Sequence, residues 1–202
     1  QDYEKVKKKI YHRLVHYRMN EEQLAAQPYI RWNDLAITFY YAMEEKTLGK
    51  ATITITNQHL EMWGIDKEEL YRTAQENMRD NRPELLVSMK DLLEEMMREQ
   101  LSEQYQVPMY VLTNQEKMYG ASALLYSEKI GELADKLHSD LLILPSSVHE
   151  VLLIPDGKEQ DYDFFRNMVG EVNSSQVEPE EVLSGSLYRY VRKQEKIEEI
   201  VS

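Results

Sequence analysis

The chain has 202 residues, 42% of them hydrophobic, which is enough for a substantial core, and its 7 glycines and 6 prolines exclude collagenous and low-complexity architectures. It contains no cysteine, so disulfide scaffolds, thiolate zinc sites and thiol nucleophiles are excluded together, as fits a reducing compartment. A formal net charge of -12, from 36 acidic against 24 basic residues, opposes a nucleic-acid role unless basic groups cluster, and the one concentration, Lys5, Lys7, Lys8, Lys9 and Arg13, reads as a solvated face.

Taken in order, the spacing of Tyr3, Val6 and Ile10 predicts a short amphipathic helix, and residues 11–17 alternate as a strand. Asn20 is placed to cap a short helix that Pro28 ends. The aromatic and β-branched run 35–43 predicts a buried strand, and 50–56 alternates small or apolar residues with hydroxyls, as a half-buried antiparallel strand does. A turn is expected at Asn57. Asp66, with Glu69 three residues on and Ile65 and Leu70 set for a hydrophobic staple, marks the clearest helix start, running to about Met78.

Pro83 then opens a helix over 83–101 with Leu85, Met89, Leu92, Leu93 and Met96 at helical spacing. Its Met96 and Met97 suggest adaptable packing and, as one reading, a groove for a partner. Strands follow at 109–113 and 118–126, read as a hairpin about Asn114. Ser127 caps a helix carrying Ile130, Leu133, Ala134 and Leu137, which feeds an apolar strand at 141–144 and permits a parallel pairing. A second apolar strand at 151–154 ends in Pro155-Asp156-Gly157. Phe164, Phe165, Met168, Val169 and Val172 mark a helix, Pro179 starts a short one, and 186–192 alternates as the last strand.

The sum is an α+β protein with a mixed, largely antiparallel sheet and helices packed against it. The expected organisation is a single domain over 1–202, the alternative being subregions 1–82 and 108–202 joined by the 83–101 helix. Gln1 in place of Met, directly ahead of DYEKVKKK, points to a fragment of a longer chain. No apolar run approaches the roughly 20 residues that cross a bilayer and no signal-peptide pattern opens the chain, so a cytoplasmic protein without a membrane or nucleic-acid partner is expected.

The stretch DLLILPSSVHEVLLIPD, residues 140–156, concentrates possible chemistry, because two apolar strands bracket Ser146, Ser147, His149 and Glu150. A hydroxyl, an imidazole and a carboxylate within five residues invite a hydrolase reading. In an extended chain, however, Ser147 and His149 face one side and Glu150 the other, so neighbours alone cannot form a triad line. The competing reading has both serines capping a turn and His149 and Glu150 satisfying backbone groups where the strand reverses. Asn114 and Tyr119, on the preceding hairpin, complete the candidate ligand-binding set. His12 and His16, four apart, could join His149 and Glu150 around a metal, but no H-E-x-x-H or calcium loop supports this, and no metal or cofactor is expected. Glycine-rich phosphate loops and a G-x-S-x-G elbow are missing. Trp32, Trp63 and the 14 tyrosines are read as core and rim aromatics rather than a stacking surface.

Six separated strings, WNDLAITFYY, HLEMWGIDKEELYRTAQEN, MYVLTNQEKMYGASALLY, LLILPSSVHEVLLIP, MVGEVN and VEPEEVLSGSLYRY, resemble in order a bacterial family catalogued as a domain of unknown function. The second half is also distantly similar to another uncharacterised bacterial family. The resemblance implies a cytoplasmic bacterial α+β protein with no assigned activity and with a further N-terminal segment. Its pattern includes Leu112-Thr113-Asn114, Gly120-Ala121 and Pro145-Ser146-Ser147 with His149-Glu150, and it carries over no catalytic residue. The leading expectation is a non-enzymatic interaction module with a protein partner or a second copy of itself. The alternative is a hydrolase or metal-dependent enzyme centred on Ser147, His149 and Glu150.

Overall fold

The computed structural model describes residues 2–45, 49–97, 108–145, 147–157 and 161–200, and the chain divides into two compact units, Gln1–Pro83 and Glu84–Ser202.

The first unit is built on one long strand. Its elements are α1 (Tyr3–Val6), β1 (Ile10–His16), α2 (Glu21–Leu24), β2 (Ile30–Trp32), β3 (Leu35–Glu45), β4 (Gly49–Thr54), α3 (Asn57–Trp63) and α4 (Lys67–Asn81). β3 pairs antiparallel with β1, β2 and β4. The period-two pattern puts Ile10, His12 and Leu14 of β1 on one face, all fully buried, where His12 and Phe39 meet Gln75 and Tyr71 of α4. Asp66 caps α4 as its sequence predicts, accepting from the Glu69 N–H at 2.8 Å, and Leu70, Ala74 and Met78, four apart, form its buried stripe. Asn77 fastens the helix to the chain entering β1 by donating to the Lys7 and Ile10 carbonyls at 2.6 and 2.8 Å. The sequence predicts only a turn at Asn57. α3 starts there through a reciprocal cap in which His59 Nδ1 accepts from the Thr56 N–H at 3.0 Å, replacing the usual glutamate.

The second unit is a six-stranded sheet with helices. It runs β5 (Glu84–Ser88), α5 (Met89–Met97), β6 (Tyr110–Asn114), α6 (Lys129–Leu137), β7 (Leu141–Leu144), β8 (Val151–Pro155), α7 (Tyr162–Ser175), β9 (Leu187–Val191) and β10 (Lys196–Ile200). The strand order is β10-β9-β7-β8-β6-β5, and every neighbouring pair is antiparallel. β7 sits inside the sheet, which is why all four of its residues are apolar and buried. Leu142, Leu144, Ile154 and Leu187 of the sheet close with Phe165 and Val169 of α7 into a core cluster. The cap position of α6 falls on Glu128, which makes no side-chain cap, rather than on the expected Ser127, whose Oγ accepts from the Lys129 N–H at 3.1 Å from one residue earlier.

The α+β class holds, and four further local expectations change. The helix expected from Pro83 begins only at Met89, because residues 84–88 pair with β6 in the register Leu86↔Leu112. The Met96 and Met97 side chains, on which the partner groove depended, lie outside the described residues. Residues 118–126 form no strand: Tyr119 takes a left-handed conformation and Gly120–Leu125 is a 3-10 turn, so neither the hairpin nor the parallel pairing with 141–144 exists. β9 is followed by a further strand, β10. Among the described residues no helix is long and apolar enough to cross a membrane.

Candidate functional site

The site is a junction of three segments of the second unit. The first is the exit of β6. Asn114, almost fully buried, closes its own turn: Nδ2 donates to the Met118 carbonyl at 2.9 Å, Oδ1 accepts from the Met118 N–H at 3.3 Å, and the Lys117 N–H reaches the Asn114 carbonyl at 3.0 Å. The turn forces two non-glycine residues into the left-handed region, Lys117 at φ 54 and Tyr119 at φ 52. Gly120 follows in a crossing too tight for a side chain. A Cβ there would lie 2.1 Å from Thr113 Oγ1, 2.6 Å from the His149 carbonyl oxygen and 2.8 Å from the Asn114 nitrogen.

The second segment is the loop 145–150 between β7 and β8. Ser147 Oγ accepts from the His149 N–H at 3.0 Å, which turns the chain back toward β8. Thr113 Oγ1 donates to the His149 carbonyl at 2.7 Å, and the Ala121 N–H to the Val148 carbonyl at 3.2 Å. The third segment follows the short helix Pro179–Glu181. Ser147 bridges Val182, the Val148 N–H donates to the Glu181 carbonyl at 2.9 Å, and the Ser184 N–H to the Pro145 carbonyl at 3.0 Å.

His149 joins all three. Its ring stacks on Tyr119 with centroids 5.4 Å apart; Nδ1 accepts from the Tyr119 N–H at 3.0 Å, and Nε2 lies 3.2 Å from Glu181 Oε1. An accepting Nδ1 carries a lone pair, so the neutral ring holds its proton on Nε2 and donates it to Glu181. The imidazole remains 30% and the carboxylate 43% exposed.

The structure thus gathers Asn114, Tyr119, Ser147 and His149. Ser146 lies outside the described residues, and Glu150 is exposed beside the junction. The carboxylate on His149 is Glu181, which sequence reasoning did not single out; only knowing that the loop 145–148 runs beside 181–184 would have found it. His12 and His16 keep partners of their own in the first unit, Gln75 at 3.2 Å and Asp34 at 3.7 Å. Among the described residues no group of three or more His, Asp or Glu side chains could hold a metal. An open cavity of about 330 Å³ in the first unit, lined by Asp2, Lys5, Lys9, Ala42, Met43 and Glu44 among others, contains none of the candidate residues.

The chemistry available follows from which atoms are engaged. Nδ1 of His149 is occupied by a main-chain N–H, and the Ser147 hydroxyl oxygen serves the main chain of His149. Among the described residues, Ser147 and His149 therefore do not form the nucleophile, base and orienter line of acyl transfer with each other. Charge is the second property of the unit. Residues 84–202 carry 23 acidic and 11 basic side chains, whereas residues 1–83 carry 13 of each, so the whole net charge belongs to the second unit. At the junction Glu150, Glu178 and Glu180 are exposed beside the part-exposed Glu181.

Fold and junction together define an α+β protein of two units in which a histidine fastens three loop segments. The chain belongs to a family of unknown function, DUF5688, whose match spans residues 1–192 and so takes in both units to the end of β9. No curated protein and no solved structure matches it.

Proposed function

We propose that the protein is a binding module rather than a catalyst, and that its second unit engages a protein partner through a cationic surface. The observation that supports the reading is the engagement of the junction's polar groups with one another: Asn114, Thr113, Ser147 and His149 hold main chain in place and, among the described residues, leave no activated nucleophile. What remains outward is the part-exposed Tyr119–His149 pair edged by Glu150, Glu180 and Glu181. A unit with so negative a field attracts basic partners and repels nucleic acid. It also repels a second copy presented through the same face, which favours a different protein over self-association. The cysteine-free chain agrees with a cytoplasmic setting.

One observation favours the hydrolase alternative: the His149–Glu181 contact is a histidine–carboxylate pair of the kind that orients a general base. Two measurements separate the readings. A fluorophosphonate probe should leave Ser147 unlabelled, and stoichiometric labelling there would establish the enzyme. A deca-lysine peptide should bind the full chain with an affinity that falls as salt rises, deca-glutamate should not bind, and combined Glu150→Gln, Glu180→Gln and Glu181→Gln should abolish binding. Undiminished binding by the triple variant would remove the junction from the recognition surface.

A further inference from the structure

The two ring nitrogens of His149 respond to a proton in opposite ways. In the neutral ring Nδ1 accepts from the Tyr119 N–H at 3.0 Å and the Nε2 proton points to Glu181 Oε1 at 3.2 Å. A second proton can enter only at Nδ1. There it turns the acceptor into a donor facing the Tyr119 N–H, and a bond becomes a donor–donor clash. At Nε2 the neutral hydrogen bond becomes a charge-assisted one, which strengthens.

We propose that protonation of His149 is a switch built into the junction, releasing the backbone of Tyr119 from the loop 145–150 while the imidazole stays on Glu181. The turn is poised for this. Lys117 and Tyr119 both sit in the left-handed region, which persists only where surrounding contacts maintain it, and the Asn114 amide, the Ser122 N–H on the Tyr119 carbonyl and His149 Nδ1 are among those contacts. Losing the His149 bond leaves the Tyr119 N–H without that acceptor, while the Tyr119 carbonyl still accepts from the Ser122 N–H and hydroxyl. The Tyr119 ring, stacked on the imidazole, is attracted to an imidazolium as well, so the main chain moves and the stack persists. The charged side chains on the segments around His149 include Glu178 directly before the short helix, Glu180 and Glu181 on it, Glu116 and Lys117 on the turn, and Glu150 beside it in the chain.

The switch stands whether or not a partner binds, because its test uses the protein alone. Ring-nitrogen and amide NMR of the full chain is followed from about pH 8 to about pH 5, with circular dichroism monitoring the fold. The Tyr119 amide should lose protection in step with protonation of the His149 ring, its exchange rising roughly tenfold beyond the intrinsic pH dependence, the equivalent of about 1.4 kcal/mol. In His149→Asn, whose carbonyl can accept from Tyr119 but cannot titrate, the amide should stay protected throughout. A Tyr119 amide that remains protected while His149 titrates, a His149 that never titrates in the folded protein, or global unfolding before any local release would each overturn the switch.

Discussion

His12 and His149, one in each unit, show two uses of the same side chain. His12 lies on β1 without solvent exposure, bonded through Nε2 to Gln75 and stacked on Tyr71 at 6.2 Å. Burial removes the water that would solvate an imidazolium, outweighing the Gln75 hydrogen bond that favours the charge, and the pKa falls to about 4. His149 keeps part of its ring in water, gives one nitrogen to a main-chain N–H and the other to a carboxylate. What separates a core histidine from a junction histidine is therefore what each nitrogen faces. Sequence spacing carries little of this: His12 and His16, four apart on one strand, take unrelated partners, Gln75 and Asp34.

The sharpest way to break the junction leaves His149 intact. Gly120→Ala would place a methyl group within 2.8 Å of two backbone atoms and closer still to Thr113 Oγ1. Main chain cannot swing aside as a side chain does, so β6 and the loop 145–150 must separate. The expected loss is about 3 kcal/mol from the second unit, at the upper end for overpacking, read by urea unfolding followed by far-UV circular dichroism. A loss below about 1 kcal/mol would show that the crossing is looser than its geometry.

The core histidine yields to acid instead. Its folded pKa, about 4, lies below the unfolded value of 6.5, so the unfolded chain binds the extra proton first as pH falls. Stability is thus fully present above about pH 6.5, declines between 6.5 and 4, and stops declining from this source below 4; the whole step is worth about 3 kcal/mol. Both tryptophans, Trp32 and Trp63, belong to residues 1–83, so their fluorescence follows the first unit. Compared across that window, the wild type should lose about 3 kcal/mol more than His12→Gln, which shares every carboxylate but lacks the imidazole. Parallel pH curves for the two proteins would mean that His12 is hydrated in the folded state.

What could be read from the chain divides along the same line between local and distant causes. β7 and β8 were legible because strands buried on both faces are apolar without interruption, and α4 because Asp66 and Glu69 announce its first turn. Residues 84–88 misled, since Leu85, Met89, Leu92 and Met96 satisfy helical spacing and the competing strand is decided by β6, which lies more than twenty residues on. The 3-10 turn after Tyr119 was hidden because a left-handed tyrosine and a steric need for Gly120 have no local signature. Asn114, Tyr119, Ser147 and His149 stood out as polar residues at the ends of apolar strands. Glu181 did not, because its place is set by the pairing of two loops rather than by its neighbours.

Two milder substitutions sharpen the comparison at His149 itself. His149→Ala leaves the Tyr119 N–H without its acceptor, but the site is open enough for water to take part of that role, so the loss should be about 1–2 kcal/mol. Glu181→Gln should cost least, under about 0.5 kcal/mol. The carboxylate is 43% exposed, and a glutamine oxygen can still accept from Nε2. A ring that accepts from the Tyr119 N–H at Nδ1 is neutral, so the bond to Glu181 is one between a neutral donor and a carboxylate. Were the ring an imidazolium at neutral pH, the substitution would remove a charge-assisted bond, worth roughly twice a neutral one, and the loss would shrink as salt rises. Measured at low and high salt near pH 7.5, a small and salt-independent effect of Glu181→Gln places His149 beside His12 as a neutral imidazole held by different neighbours, whereas a larger, salt-sensitive one separates the two histidines by charge as well as by burial.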